Sequence, residues 1–172
     1  MKRKGQKVKA SFDPLDIFAT LNAGRVEYLV FGGLAVVLYG VGRVTWDVDV
    51  IVHLTASNVD RLAKALTRIG FVPRVPADPR GLADPHIRRV WTQEKAMAVY
   101  SFIDTHIPPR NVDVMIRPPH DFEDLYRRRH IVKVRRITIP VIPVDALVRL
   151  KRAAGRPQDL QDIADLSRLG LI

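Results

Sequence analysis

The sequence reads Phe31-Gly32-Gly33 and then, after a short gap, Arg43-Val44-Thr45-Trp46-Asp47-Val48-Asp49-Val50-Ile51-Val52. The second stretch alternates carboxylates with valine before an apolar end, which is typical of a partly buried β-strand. Side chains alternate along a strand, so Asp47 and Asp49 are expected on the same face. Two neighbouring carboxylates on an apolar strand are unfavourable unless a cation or a basic partner lies between them. Magnesium bound to a nucleotide suits such a pair.

A third carboxylate has similar surroundings. Asp113 lies between apolar neighbours in the stretch Asn111-Val112-Asp113-Val114-Met115-Ile116. Neighbouring strands lie about 4.8 Å apart, so Asp113 could join Asp47 and Asp49 around two cations if the two strands pair. Asp113 is also the candidate for deprotonating an acceptor hydroxyl.

A purely structural interpretation of these residues is also open. In it, Asp47 stands at the start of the strand, Asp49 pairs with Arg43, and Asp113 is a turn residue. We favour the functional interpretation, because the structural one needs three separate coincidences of buried charge.

The glycine pair Gly32-Gly33 permits the backbone to approach a phosphate closely, and a following helix offers free N–H groups. Neither the GxxxxGK[ST] pattern nor the GxGxxG pattern occurs in the chain. The pair is informative because it lies 14 residues before Asp47.

Length and composition indicate one main domain. The chain has 172 residues, 47% of them hydrophobic, and no cysteine, which excludes disulfides and thiolate zinc sites. We expect a disordered basic tail over residues 1–10, a core over 11–140 and a C-terminal helical extension over 141–172. The most apolar stretch, residues 28–42, is too short to span a membrane, and the polar basic start has no secretory h-region. The protein is therefore predicted to be cytoplasmic and not membrane-associated.

The net charge of +10 is unevenly distributed. Residues 1–9 carry +5 and residues 125–156 carry +9, which leaves −4 for the rest of the chain. This asymmetry suggests a polyanionic partner, and RNA is the leading one. A charged surface that serves only solubility is the alternative.

Local patterns predict an alternation of helices and strands. Helices are expected over residues 13–23, 34–39, 57–70, 121–129, 145–154 and 158–169, with a short helix from Asp84. Strands are expected over 27–31, 47–54, 96–103, 111–116 and 131–139, with a turn through Pro108-Pro109 before the fourth. Ser57 and Asp145 are the expected helix caps, and Trp46 and Trp91 are expected in the core.

Several of these residues together resemble the signature of the DNA polymerase beta-like (minimal) nucleotidyltransferase superfamily. The matching positions are Gly32-Gly33, Arg43, Thr45, Asp47-Val48-Asp49 and Asp113, with 13 residues between Gly33 and Asp47. Residues 150–162 further resemble the toxin-type nucleotidyltransferases of abortive-infection (type IV toxin–antitoxin) systems, which have a lysine and then an aspartate there. The superfamily often has serine where this chain has Gly33.

The resemblance implies an α/β (α+β) nucleotidyltransferase fold, with a mixed β-sheet flanked by helices and a C-terminal helical extension. It implies transfer of a nucleoside monophosphate from an NTP, with two Mg²⁺ ions. The implied metal ligands, which are also catalytic, are Asp47, Asp49 and Asp113. The implied NTP-binding residues are Gly32, Gly33, Arg43, Thr45, Lys151 and Asp159, with Lys151 touching the phosphates as a further catalytic residue.

Other roles stay open for the last of these residues. Arg43 could neutralise the triphosphate or pair with Asp49. Lys151 could be a solvated charge near the end of a helix, and Asp159 and Asp162 could simply complement the dipole of the last helix.

The acceptor is left open by the carboxylates. The basic segments favour RNA, and a tRNA end fits the toxin-type resemblance, with an antitoxin as a possible partner protein. Protein side chains and small molecules are the other acceptors to consider. The competing function is a catalytically weak nucleotide- or RNA-binding module of the same fold, and a metal-dependent nuclease is a third possibility.

Overall fold

The computed structural model describes residues 13–105, 109–118 and 121–172. Its α-helices are α1 Leu15–Ala23, α2 Gly32–Leu38, α3 Ala56–Arg68, α4 Pro85–Gln93, α5 Phe122–Arg127, α6 Val144–Ala154 and α7 Pro157–Arg168. Its strands are β1 Tyr28–Val30, β2 Asp47–Val52, β3 Val72–Pro73, β4 Val99–Ile103, β5 Asn111–Met115, β6 His130–Val134 and β7 Ile137–Val141. A short 3₁₀ helix covers Pro79–Ala83. The predicted basic tail and Pro108 of the predicted turn lie outside the described residues.

The strands form one mixed sheet in the order β3-β4-β5-β2-β1-β7-β6. Strand β2 lies at its centre, parallel to β5 and antiparallel to β1, while β1 is parallel to β7. Helix α1 packs on α3 and β7, whereas α2 packs on β2 and α6, and α6 packs on α7. The predicted fold class, a mixed sheet flanked by helices, is confirmed.

The first side chains of strand β2 alternate between the buried core and the opposite face of the sheet. Val48, Val50 and Val52 are fully buried, and burying each stabilises the fold by about 1.5–3 kcal/mol relative to exposure. Asp47 and Asp49 occupy the alternate positions and are not fully buried. The packing of the valines therefore fixes which way the carboxylates point.

The single strand predicted over residues 131–139 is wrong. The chain turns at Arg135-Arg136 and forms an antiparallel hairpin in which Val134 pairs with Ile137. Arg135 adopts a positive φ of 56°. The sequence gives no Asn-Gly, Asp-Gly or Gly-Gly signal at this turn, so the local pattern reads as one continuous strand.

Two predicted helix caps and one core residue also need correction. Thr55, not Ser57, caps α3 by accepting a hydrogen bond from the N–H of Asn58. The residue preceding α6 is Pro143 rather than Asp145. Trp91 is 5% exposed, as expected for the core, but Trp46, which precedes β2, is 59% exposed. No helix in the described part of the chain combines the length and apolar character needed to cross a membrane.

Candidate active site

Strands β2 and β5 bring two of the predicted carboxylates together. Asp49 and Asp113 are directly paired positions of these parallel strands, and Asp47 is paired with Asn111. Adjacent strands are about 4.8 Å apart. The three carboxylates predicted to act together therefore lie on neighbouring positions of one sheet face.

The backbone of the glycine pair lies against the side chain of Asp49. Gly32 has a φ of +68°, and a Cβ built on it would stand 2.1 Å from Asp49 Oδ2. Glycine is required on both counts, because the backbone is left-handed and the space is taken by the carboxylate. The N–H of Gly33 donates a hydrogen bond to the same carboxylate.

Burial and repulsion between neighbouring carboxylates raise the pKa values of Asp49 and Asp113. Burial first, and then the charges of Asp113 and Asp47, raise the pKa of Asp49 to about 6, against the opposing effects of Arg156 and the Gly33 N–H. Burial also raises the pKa of Asp113, although a hydrogen bond from Ser101 acts in the opposite direction. A cation bound between these carboxylates would lower both pKa values.

The donor set fits a magnesium ion in its chemistry. Asp113 Oδ1 is buried and has no hydrogen-bond partner, and no ion pair joins Asp47, Asp49 or Asp113 to a basic side chain among the described residues. Asp47 accepts a hydrogen bond from Asn111 Nδ2 at 3.2 Å. As placed, no three or more histidine, aspartate or glutamate side chains of the described chain surround one cation position.

Arg43 and Thr45 gather around Gly33. A Cβ on Gly33 would stand 3.0 Å from Arg43 Nη2 and 3.1 Å from Thr45 Oγ1. A serine side chain, frequent in the superfamily at this position, would therefore be crowded here. Thr45 places a hydroxyl 3.1 Å from the position that the Cβ of such a serine would take.

Lys151, Asp159 and Asp162 form a buried ionic cluster, with exposed fractions of 4%, 2% and 1%. Lys151 Nζ lies 3.1 Å from Asp159 Oδ1 and 2.6 Å from Asp162 Oδ2. The solvated-charge interpretation of Lys151 is wrong, and a dipole role alone does not account for the two aspartates. The predicted contact of Lys151 with phosphates stays a prediction, and it would require the ammonium to leave these carboxylates.

The ionic cluster extends to the glycine bend. Arg43 pairs with Asp162, so the alternative in which it pairs with Asp49 is wrong. Arg156 Nε lies 2.7 Å from Asp159 Oδ2, and its charge also lowers the pKa of Asp49. Burial acts to raise the pKa of Asp159, but hydrogen bonds from Arg156 and Lys151 hold it below its usual range.

Solved structures of known proteins share this arrangement of helices and strands. The lincosamide antibiotic adenylyltransferase LnuA, with lincomycin bound, matches at a TM-score of 0.57 and 17% identity, over 88% of this chain and 92% of its own. A proposed nucleotidyltransferase from Thermotoga maritima matches at 0.53 and 14% identity, over 88% of both chains. An antigenic nucleotidyltransferase-like protein from Paracoccidioides brasiliensis matches at 0.53 and 15% identity, over 88% of this chain and 71% of its own. The chain has a nucleotidyltransferase fold.

At these identities the similarity establishes the fold alone. No protein-family model matches the chain, and no curated protein matches it either. The sequence did not indicate that Asn111, Ser101 and Arg156 act on the carboxylates of the candidate site. It indicated only a helix-dipole role for Asp162, which also binds Lys151 and Arg43. Two signals were available: Asn111 lies two residues before Asp113 on one strand face, and Asp162 lies one helical turn after Asp159.

Proposed function

We propose that this protein is a magnesium-dependent nucleotidyltransferase that moves a nucleoside monophosphate from an NTP to an acceptor hydroxyl. The observation that carries the proposal is that Asp113 Oδ1 is buried and has no hydrogen-bond partner among the described residues. Asp113 occupies the strand position opposite Asp49, and the side chain of Asp49 lies against Gly32. An ion pair with a basic side chain would support a purely structural role, and neither Asp49 nor Asp113 makes one among the described residues.

The metal ligands in this proposal are Asp47, Asp49 and Asp113. Two magnesium ions held there would polarise the transferred phosphoryl group and neutralise charge on the departing pyrophosphate. Gly32 and Gly33 leave room for the triphosphate beside the backbone. Arg43 and Thr45, both next to Gly33, supply a positive charge and a hydroxyl donor to phosphate oxygens.

Asp113 is proposed as the group that receives the proton of the acceptor hydroxyl. Its Oδ1 has no hydrogen-bond partner among the described residues, so a lone pair is available for that proton. Ser101, which hydrogen-bonds to this carboxyl, would fix its orientation.

Lys151 and Asp159 enter the proposal through the ionic cluster. Their contacts support a positioning role, in which Lys151 neutralises Asp159 and Asp162 and these in turn place Arg156 and Arg43. Direct contact of Lys151 with the phosphates is the alternative that the resemblance predicts.

The toxin role and the antitoxin partner rest on the resemblance of residues 150–162. Both are testable by induced expression in a bacterial host. Growth arrest that disappears with Asp49→Asn supports a toxin whose effect needs the transferase site. Unchanged growth with the wild-type protein would contradict it.

A catalytically weak binding module is the second candidate. Two observations favour it: the carboxylates do not surround a cation position as placed, and the Lys151 ammonium is fully engaged by aspartates. A module of this kind would bind an NTP or RNA without transferring label.

The deciding experiment incubates the protein with each α-labelled NTP, magnesium and total RNA. We expect one NTP to label RNA, with the signal reduced by at least about 100-fold in Asp49→Asn and in Asp113→Asn. Asp60→Asn, whose side chain pairs with Arg80 at the surface, is the matched control and should retain activity. Equal labelling by Asp49→Asn would contradict the proposal. Binding of NTP without transfer to RNA, protein or small molecules would favour the module, and shortened RNA would indicate a nuclease.

A further inference from the structure

A large cleft lies beyond the ends of β2 and β5, away from Asp47. Its volume is about 1130 Å³. The segments that follow the two strands line it, together with residues of α4 and α6. Asp47, Asp49 and Asp113 do not line it, so it is additional to the candidate NTP site.

The cleft is basic. Its lining includes four arginines, one histidine and two acids, which are Arg88, Arg89, Arg117, Arg149, His53, Asp121 and Glu123. Arg149 is neutralised by Asp145 at 2.7 Å, and Arg88 donates to the carbonyl of Leu82. Arg89 and Arg117 are exposed and make no ion pair within the described parts of the chain. Their guanidinium groups are not held by any carboxylate or carbonyl of the described residues, so they are the ones most readily available to a ligand.

These two arginines lie outside the basic segment 125–156. Within that segment, several charges are already satisfied by carboxylates of the fold. Arg127 and Arg128 pair with Asp124, and Arg156 pairs with Asp159. The folded chain therefore places its unneutralised charge partly in the cleft, where the linear charge distribution does not predict it.

Helix α6 links the cleft to the carboxylates. The residues of α6 that line the cleft lie on one side of the helix and are Ala146, Arg149, Leu150 and Ala153. Helix α6 ends at Ala154, and Arg156 follows the left-handed Gly155. The charge of Arg156 lies close enough to Asp49 to lower its pKa. Along β2, His53 follows Asp49 by four residues, which is about 13 Å of extended strand.

We propose that this cleft is the acceptor site and that it binds the sugar–phosphate backbone of a single-stranded RNA end. The inference rests on the proposed nucleotidyl transfer. The terminal hydroxyl would lie at the carboxylates, and phosphates further from the end would lie near Arg89 and Arg117. The same arginines would repel a cationic small-molecule acceptor.

Size and ring packing define the ligand further. Pockets for drug-sized ligands measure roughly 300–1,000 Å³, so a cleft of about 1130 Å³ has room for a few nucleotides. Phe122, which lines the cleft, stacks with His53 at 5.1 Å and with Tyr126 at 5.4 Å. Because these rings already stack on one another, the contacts would be to phosphates and largely independent of base sequence.

The reaction at this site is an in-line displacement. The oxygen of the terminal hydroxyl forms a bond to the α-phosphorus of the NTP. The bond from that phosphorus to the bridging oxygen breaks, and pyrophosphate leaves with the electron pair. The hydroxyl proton passes to the carboxylate of Asp113.

The test compares two double variants that remove the same charge. R89Q/R117Q alters the cleft, and K133Q/R136Q removes two exposed charges from the β6–β7 hairpin, which does not line it. Binding of a short, fluorescein-labelled single-stranded RNA with a free 3′ hydroxyl is followed by anisotropy over a range of salt concentrations. The plot of log K against log salt concentration has a negative slope. For R89Q/R117Q we expect this slope to become less steep by roughly 1.4, which is about 0.7 for each lost phosphate contact. The control should keep the wild-type slope, and KM for the NTP should be unchanged in both.

The possible outcomes distinguish failure of the cleft assignment from failure of the proposed transfer reaction. If both double variants weaken binding equally, or if the RNA does not bind, the cleft assignment is overturned. Transfer of label to a small molecule or a protein instead of RNA overturns it as well. If R89Q/R117Q alone weakens binding while no NTP is ever transferred, the cleft stands and the proposed function fails. Asp49→Asn should bind the RNA as the wild type does. Tighter binding of a matched DNA strand than of the RNA would overturn RNA as the ligand.

Discussion

The buried carboxylate of Asp162 holds the guanidinium of Arg43 beside Gly33. Arg43 lies in the loop before β2, whereas Asp162 lies in α7, so two segments that are distant in the chain meet at the glycine bend. The same carboxylate accepts hydrogen bonds from Lys151 and Gln158. The orientation of Arg43 therefore depends on the C-terminal helices and not on the aspartates of β2.

Replacing Asp162 by asparagine should release Arg43. We expect kcat/KM for the NTP to fall by about tenfold or more, and stability to fall by about 3 kcal/mol, because Lys151 and Arg43 lose a buried counter-charge. Asp165→Asn, on the same helix and paired with Arg168 at the surface, should change stability by no more than about 0.5 kcal/mol.

A double-mutant cycle tells positioning from a general loss of folding. Arg43→Gln should reduce kcat/KM in the wild type and have little further effect in Asp162→Asn, measured well below both melting temperatures. If the two effects simply add, Asp162 does not act through Arg43.

The raised pKa of Asp49 predicts a pH-dependent stability. The pKa of Asp49 in the folded protein, about 6, exceeds the ordinary aspartate value of 3.8. Its contribution to the free energy of unfolding is therefore complete below pH 3.8 and is lost as the pH rises through 6. Asp49→Asn removes this loss. At pH 7.5, without magnesium, we expect this variant to be more stable than the wild type by about 1–3 kcal/mol in denaturant unfolding. The difference should disappear near pH 4, and a difference independent of pH would contradict the burial of this charge.

Magnesium should stabilise the wild-type protein at neutral pH. A ligand that binds only the folded state adds RT ln(1 + [L]/Kd), or about 2.7 kcal/mol at 100 times its Kd. The melting temperature should therefore rise with magnesium in the wild type and much less in Asp49→Asn or Asp113→Asn. An equal rise in all three proteins would indicate binding elsewhere.

Gly32→Ala should damage both folding and activity. The left-handed backbone costs about 1–2 kcal/mol for a residue with a side chain, and the new methyl group would collide with Asp49 Oδ2. We expect a lower melting temperature and loss of NMP transfer. Gly70→Ala is the control, because Gly70 has a similar positive φ but no atom within 4 Å of its built Cβ. It should show the backbone cost without the loss of transfer.

The hydroxyl of Thr45 is predicted to replace the serine hydroxyl missing at Gly33. Thr45→Ala should raise KM for the NTP, and Gly33→Ser alone should be impaired by crowding against Arg43 and Thr45. The double variant Gly33→Ser with Thr45→Ala should recover part of the lost kcat/KM. Failure of the pair to improve on either single variant would mean that the two hydroxyls are not equivalent.

The fold could be predicted largely from local patterns. Alternation around Asp47 and Asp49, apolar flanks around Asp113 and the glycine pair each reflect a backbone or burial requirement, and the structure places all three segments side by side. The β6–β7 hairpin was missed because its turn is made by two arginines, for which no common turn rule applies.

The ionic contacts of the C-terminal helices could not be predicted in the same way. Whether Arg43 pairs with Asp49 or with Asp162 depends on how α7 packs, which is a long-range property that neither helix sequence contains. The positive charge of the cleft could not be predicted for the same reason, since Arg89 and Arg117 come to line one cleft only in the folded chain.

The contact between Arg43 and Asp162 has a consequence for synthesis. A ribosome completes β2 and β5 well before α7, so during translation Arg43 has no counter-charge to orient it. Asp162 can bind it only when the last helix has left the exit tunnel and docked. A nascent chain in which α7 has not yet docked therefore carries the aspartates without the anchored guanidinium, and, like Asp162→Asn, it should use an NTP less efficiently than the folded protein.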